Sequence, residues 1–179
     1  MTASPGILWV SGGSEKGKTE VSSFLVESLF RKTMEEKHGW FIYFFCNDGN
    51  DEQPSALAIL RSLVLQLLEQ EPKLILHVLP ASECPVENQL RNVRSLWLLF
   101  EKTILALRGV TYCMVASLNE CSPRSQKCLV NILKETELFE RRKGILKFII
   151  TGTETNDLTD LSEHMLTYNP SCLQRPNLD

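Results

Sequence analysis

The run Gly12-Gly13-Ser14-Glu15-Lys16-Gly17-Lys18-Thr19 satisfies every fixed position of GxxxxGK[ST], and it constrains this chain more than any other feature. Such a run holds phosphate when it sits between a strand and a helix. Ile7 to Ser11 is a short apolar run entering the glycine-rich turn, and Val21, Phe24, Leu25, Ser28 and Leu29 recur after it at helical spacing. The predicted order is therefore strand, loop, helix. Glycines let the backbone wrap a phosphate with its N–H groups, while the helix beginning near Lys18 turns its positive dipole end toward the anion. Lys18 is placed to reach the β- and γ-phosphates as a mobile point charge, and the Thr19 hydroxyl to ligate Mg²⁺. The bland alternative is a glycine-rich turn with an exposed lysine. Glu15 and Lys16 are unusual at the loop apex; Glu15 brings a negative charge near phosphate, which predicts a modest affinity.

The rest of the chain alternates short β-rich runs with longer helical ones. That alternation predicts a three-layer α/β/α fold around a mostly parallel sheet of about four to five strands. Trp40 to Cys46 is aromatic and β-branched almost throughout, as a strand buried on both faces would be. Pro54 and Ser55 open a helix whose Ile59, Leu60, Leu63, Val64, Leu67 and Leu68 form one apolar stripe, and Pro72 closes it or begins a short helix through Leu79. Pro80 to Asn92 reads as a surface connection, followed by a helix around Ser95 to Leu107, a strand over Tyr112 to Ser117 and a helix over about Ser125 to Phe139. Leu146 to Thr151 is the fourth strand, with a fifth, weaker one near Met165 to Tyr168. Residues 1–169 are expected to form one core and 170–179 a disordered tail.

Composition closes several other routes. The chain has 179 residues, enough for one domain, and its 19 basic and 22 acidic side chains gather into no long basic run, so nucleic-acid or anionic-membrane binding gets no support. The start lacks a signal-peptide pattern and no apolar run approaches the ~20 residues of a membrane span, which predicts a soluble, cytoplasmic protein. Cys46, Cys84, Cys113, Cys121, Cys128 and Cys172 show no CxxC spacing, and read as buried free thiols in a reducing compartment. His38, His77 and His164 are scattered singly, against a metal site built on histidine.

Taken together, ILWVSGG-SEKGKTE, the FIYFFC strand with the LAILRSLVLQLLEQEPKLILHV helix after it, and TYCMVASLNEC resemble the NACHT-type P-loop NTPases of fungal STAND, or NLR-like, proteins with nephrocystin-like N-terminal regions. The resemblance covers most of residues 7–152 and implies a nucleotide-binding module with Mg²⁺ and bound ATP or GTP, whose partners are other NACHT or NLR-like proteins or a second copy of itself. It also exposes departures. Where the family pattern has DALDEC, this chain has Ala116 at the Mg²⁺-anchoring aspartate and Asn119 at the second aspartate, so that Glu120 alone survives of the acidic trio, as a base that orients water or as a solvated carboxylate. The sensor strand LKFIITGTE has Gly152 where the family's SR motif would place arginine. Arg61 matches a recurrent family arginine and reads as structural, and Cys121, also recurrent, as a core thiol. Asp48, Asp51 and Glu52 follow the second strand and are more simply a solvated loop than a substitute for the missing aspartate.

The sequence thus predicts a regulatory module that binds ATP or GTP and hydrolyses it weakly or not at all. The alternative is a pseudo-NTPase interaction module that no longer binds nucleotide. A small-molecule kinase is weaker, because no acceptor-site pair of arginine and aspartate with lid-like spacing is present.

Overall fold

The computed structural model describes residues 6–11, 18–35, 39–46, 54–78, 91–141, 145–153 and 165–168. Five strands form the sheet: β1 (Ile7–Ser11), β2 (Trp40–Phe45), β3 (Thr111–Ala116), β4 (Leu146–Gly152) and β5 (Met165–Tyr168). Their order is β2-β3-β4-β1-β5, and every pairing is parallel. The helices are α1 (Lys18–Glu35), α2 (Ala56–Gln70), α3 (Ile75–Val78), α4 (Val93–Ala106), α5 (Pro123–Glu135) and α6 (Leu138–Arg141).

Strand order explains the layers. From β1 the chain crosses to the far edge, β2, through α1, and then steps back through β3 and β4 in the opposite direction. Crossovers between parallel strands are right-handed, so reversing direction moves the covering helices to the other face. Side chains alternate accordingly. Ile7, Trp9, Ile42, Cys113, Val115, Phe148 and Ile150 share a large core with α2, α4 and α5. Phe41, Tyr112, Met114, Ala116 and Ile149 form a smaller one under Leu25, Val26 and Leu29 of α1.

Three expectations are corrected. The second strand is an edge strand and not one buried on both faces: Tyr43 is 40% exposed, and its ring rests on Phe41 and against the edge of Phe45 at centroid distances of 5.4 and 5.7 Å. Its outer backbone edge is covered by side chains of α2. Gln66 Nε2 donates to the Tyr43 carbonyl at 2.7 Å, Gln66 Oε1 accepts from the Tyr43 N–H at 3.0 Å, and Gln70 donates to the Phe41 carbonyl at 2.9 Å. These amides satisfy strand groups that would otherwise invite another strand.

The stripe of α1 is rotated from the expected one. Ser22 and Thr33 are buried, Leu25, Val26 and Leu29 face the sheet, and Phe24 is 68% exposed. The same phase brings Ser22 into the polar contact described below.

The expected single helix over Ser125 to Phe139 is two helices. Ser122 caps α5, Thr136 ends it, and the Thr136 hydroxyl accepts from the Leu138 N–H at 3.2 Å to start α6, while donating to Glu101 of α4. Elsewhere the caps explain the boundaries. The Ser55 hydroxyl accepts from Ala58 N at 3.1 Å to open α2, and Asn92 accepts from Arg94 N and Ser95 N, starting α4 at Val93 and so earlier than expected. Pro72 opens a 3₁₀ turn, Pro72–Leu74, that runs into α3. Of the expected surface connection Pro80 to Asn92, residues 80–90 lie outside the described residues, as do Leu79 and the expected tail 170–179.

Candidate functional site

Open parallel sheets bind ligands beyond their strand C-termini, where the crossover direction reverses. Here that place is the end of β1, from which the chain leads into α1. Because β4 lies between β1 and β3, its last residues sit between the exit of β1 and the end of β3; Ser11 is in register with Gly152. Gly12, Gly13, Ser14, Glu15, Lys16 and Gly17 lie outside the described residues. Lys18 and Thr19 begin α1 in backbone, and their side chains also lie outside the described residues. The same holds for Asp48, Asp51 and Glu52 in whole.

The described part of the site is a neutral hydrogen-bonded seam. Ser22, a turn after Lys18, places its hydroxyl 3.1 Å from that of Thr151 at the end of β4, and the two residues are 0% and 1% exposed. Thr151 Oγ1 also accepts from the Ser117 N–H at 3.0 Å. A threonine hydroxyl has one proton and two lone pairs, so it can serve both neighbours at once. Ser117 adopts φ 57°, ψ 45°, a left-handed conformation that costs a non-glycine residue about 1 kcal/mol or more. That turn aims its N–H at Thr151 and starts the 3₁₀ turn Leu118–Glu120.

The turn carries Asn119 and Glu120. Asn119 Oδ1 accepts from the Thr153 N–H at 3.2 Å, and Asn119 Nδ2 donates to Glu120 Oε1 at 2.7 Å. The two bonds fix the amide orientation, since the reverse would oppose two donors and two acceptors. An aspartate could make only the first, and would repel Glu120. From α5, Gln126 Nε2 donates to the carbonyls of Asn119 at 3.3 Å and Cys121 at 2.7 Å. Glu120 is exposed, held beside Asn119.

Ala116 ends β3 at 1% exposure, its methyl among Phe41, Met114 and Ile149 on the α1 face. A hard cation needs oxygen ligands, and this position offers none. The Ser22 and Thr151 oxygens are bonded to each other. Gly152 leaves no room for a larger residue: a Cβ there would lie 2.9 Å from Trp9 Cη2 and 3.2 Å from Asn119 Oδ1. Arg61 is on the exposed side of α2.

The thiols divide into two kinds. Cys113 is enclosed by the core, and desolvation pushes its thiol well above the ordinary range. Cys46 and Cys121 are also buried and influence each other: Cys121 first, and then burial, push the Cys46 thiol above the ordinary range, while Cys46 lowers Cys121. Among the described residues, no group of three or more His, Cys, Asp or Glu could hold a metal ion, and no helix is long and apolar enough to cross a membrane.

Sequence reasoning missed Ser22, Ser117 and Thr151. The available signal was a serine a turn into the helix after the glycine-rich loop, at a phase that only the fold shows to be buried.

Comparison with known proteins agrees with this architecture. The family model for the nephrocystin 3 N-terminal region matches residues 1–152. Vegetative incompatibility protein HET-E-1 of Podospora anserina is 35% identical over 72 residues, covering 40% of this chain and 5% of that protein, so the chain corresponds to a small part of its length. Among solved structures, Cdc6p of Pyrobaculum aerophilum superposes with a TM-score of 0.51 at 9% identity, over 92% of this chain and 39% of that one, a likeness of fold alone. On these grounds the chain belongs to the nephrocystin 3 N-terminal family and has a NACHT-like P-loop NTPase fold.

Proposed function

We propose that this chain is a nucleotide-binding regulatory module that takes ATP or GTP with Mg²⁺ at Gly12 to Thr19 and hydrolyses it weakly or not at all. Lys18 and the loop amides hold the phosphates, and Thr19 is the protein's ligand to Mg²⁺. The observation that carries the reading is Ala116. Its methyl occupies, within an apolar cluster, the strand-end position from which a carboxylate would face the α1 side of the sheet. Glu120 remains as the candidate base, its carboxylate accepting a hydrogen bond from the Asn119 amide. In this reading the module works in the cytoplasm and associates with NACHT or NLR-like proteins or with its own copies.

A second reading, a docking module without nucleotide, draws support from Phe24, Phe30 and Met34, which α1 leaves exposed. Thermal unfolding separates the two. Ligand at a hundred times its dissociation constant stabilises by about 2.7 kcal/mol, which for a chain of this size raises Tm by roughly 5–10 °C. A rise with Mg²⁺-ATP or Mg²⁺-GTP that Lys18→Ala removes supports the first reading. An unchanged Tm across millimolar nucleotide supports the second.

A further inference from the structure

On the main-core side of the sheet, α2 packs against both α4 and α5, and between those two the surface keeps a groove of about 520 Å³. Its floor is apolar. Trp97 and the half-buried Cys128 and Ile132 line it, and Leu98 stands 52% exposed at its side. Its surroundings are basic: Arg91, Arg94, Lys102, Arg124, Lys127 and Lys134 lie on or beside α4 and α5, against Glu101 and Glu135, in a chain of net charge -3. Both glutamates are engaged, Glu101 by the Trp97 Nε1–H at 2.9 Å and Glu135 by Arg94 at 3.7 Å. The walls are helices whose backbone groups are bonded within themselves, so an extended peptide would bury unpaired N–H and C=O groups here, whereas a helix arrives with its own bonded. The groove therefore suits an amphipathic helix with acidic flanks.

The chain carries such a helix on the other face of its sheet. Along α1, Phe24, Phe30 and Met34 are 68%, 57% and 73% exposed, and Glu20, Glu27 and Glu35 are exposed beside them. Arg31 is bonded to Glu27 at 2.7 Å, and Lys32 lies 5.5 Å over the Tyr112 ring, toward the sheet. At 1.5 Å per residue, Phe24 to Met34 spans roughly 15 Å and the groove wall from Val93 to Glu101 roughly 12 Å. We propose that the groove between α4 and α5 receives the exposed face of α1 from a second copy of this chain, its apolar side chains on Trp97, Leu98 and Ile132 and its glutamates toward Arg91 and Arg94. Because α1 and the groove lie on opposite faces of the sheet, no chain fills its own groove. The contact is head-to-tail and repeats from copy to copy, building rings or open chains rather than a two-fold pair. About three helical turns make a small interface, so association is weak, concentration-dependent and weakened by salt. The proposal rests on the self-association in the functional reading and is independent of its nucleotide.

The test is sedimentation of the full chain over a concentration series, for the parent, for Arg91→Glu with Arg94→Glu, for Glu27→Lys with Glu35→Lys, and for an equal mixture of the two variants. The exchanged residues are exposed, and a glutamate in the first turn of α4 and a lysine in the last turn of α1 agree with the helix dipoles. The parent is expected to self-associate, and each variant alone to raise the dissociation constant at least tenfold through like charge at the contact. The mixture is expected to regain association, since the acidic groove of one variant then meets the basic α1 of the other; that recovery also shows both variants to be folded. A parent that stays monomeric, or a mixture that does not associate, would overturn the proposal. So would association unchanged in the groove variant, which would place the copies in contact elsewhere, or unchanged in the α1 variant, which would give the groove another occupant. Nucleotide binding enters none of these readouts, so failure here leaves that part of the functional reading standing.

Discussion

The Thr151 hydroxyl lies 3.1 Å from that of Ser22 and 129 residues away in sequence, so that the strand between β1 and β3 is fastened to the helix after the glycine-rich segment. Because Thr151 also accepts from Ser117, one oxygen joins α1, β4 and the turn after β3. Thr151→Val keeps the shape and strips both bonds, leaving the Ser22 hydroxyl and the Ser117 N–H without their partner. The expected loss is about 1–3 kcal/mol in urea unfolding, larger than for Ser22→Ala, after which Thr151 and Ser117 remain paired. Equal stability of the valine variant and the parent would show that the seam contributes nothing.

Gly152→Ala tests the crowding at the end of β4. The new methyl would meet the buried Trp9 ring at 2.9 Å and push on Asn119. A loss of about 1–3 kcal/mol is expected from overpacking. Thermal unfolding within a degree of the parent would mean that the turn gives way freely.

Ala116→Asp places a carboxyl among Phe41, Met114 and Ile149. Burial favours its neutral form, so its folded pKa rises above the unfolded value of about 3.9. The sign follows from proton binding: between those two values the folded state holds more protons, and stability falls as pH rises. The variant should therefore come nearest to the parent's stability near pH 4, with only the overpacking cost remaining, and lose ground toward pH 7, with Mg²⁺-nucleotide restoring part of the loss. A deficit independent of pH would indicate that the side chain escapes to water.

Gln66→Ala uncovers the edge of β2. Tyr43 would lose both backbone partners to water, at a cost of about 0.5–1.5 kcal/mol. The freed edge should promote concentration-dependent association in sedimentation experiments, and an unaltered monomer fraction would argue against a guarding role for Gln66.

Much of the fold is written in local pattern. The apolar runs at Ile7–Ser11 and Leu146 to Thr151 read directly as strands and Met165–Tyr168 more weakly, and Ser55 and Pro72 mark real boundaries. What is not local was not legible. An edge strand whose aromatic rings cover one another has the composition of an interior strand, which is why β2 misleads. Thr136 fits a helix interior as well as a cap, and only its contact with Glu101 of α4 decides between them. The departures at Ala116, Asn119 and Gly152 were visible as letters, whereas the seam through Ser22, Thr151 and Ser117 depends on strand order and on a left-handed turn that a serine does not announce.

The central claim is that the loop holds nucleotide while hydrolysis is weak or absent. Calorimetric titration with ATP and GTP, with and without Mg²⁺, on the parent chain and Lys18→Ala, with phosphate release followed in the same samples, tests it most directly. The account predicts saturable binding that Lys18→Ala abolishes, with negligible release. Steady release that depends on Lys18, or a folded protein that binds neither nucleotide, would contradict it.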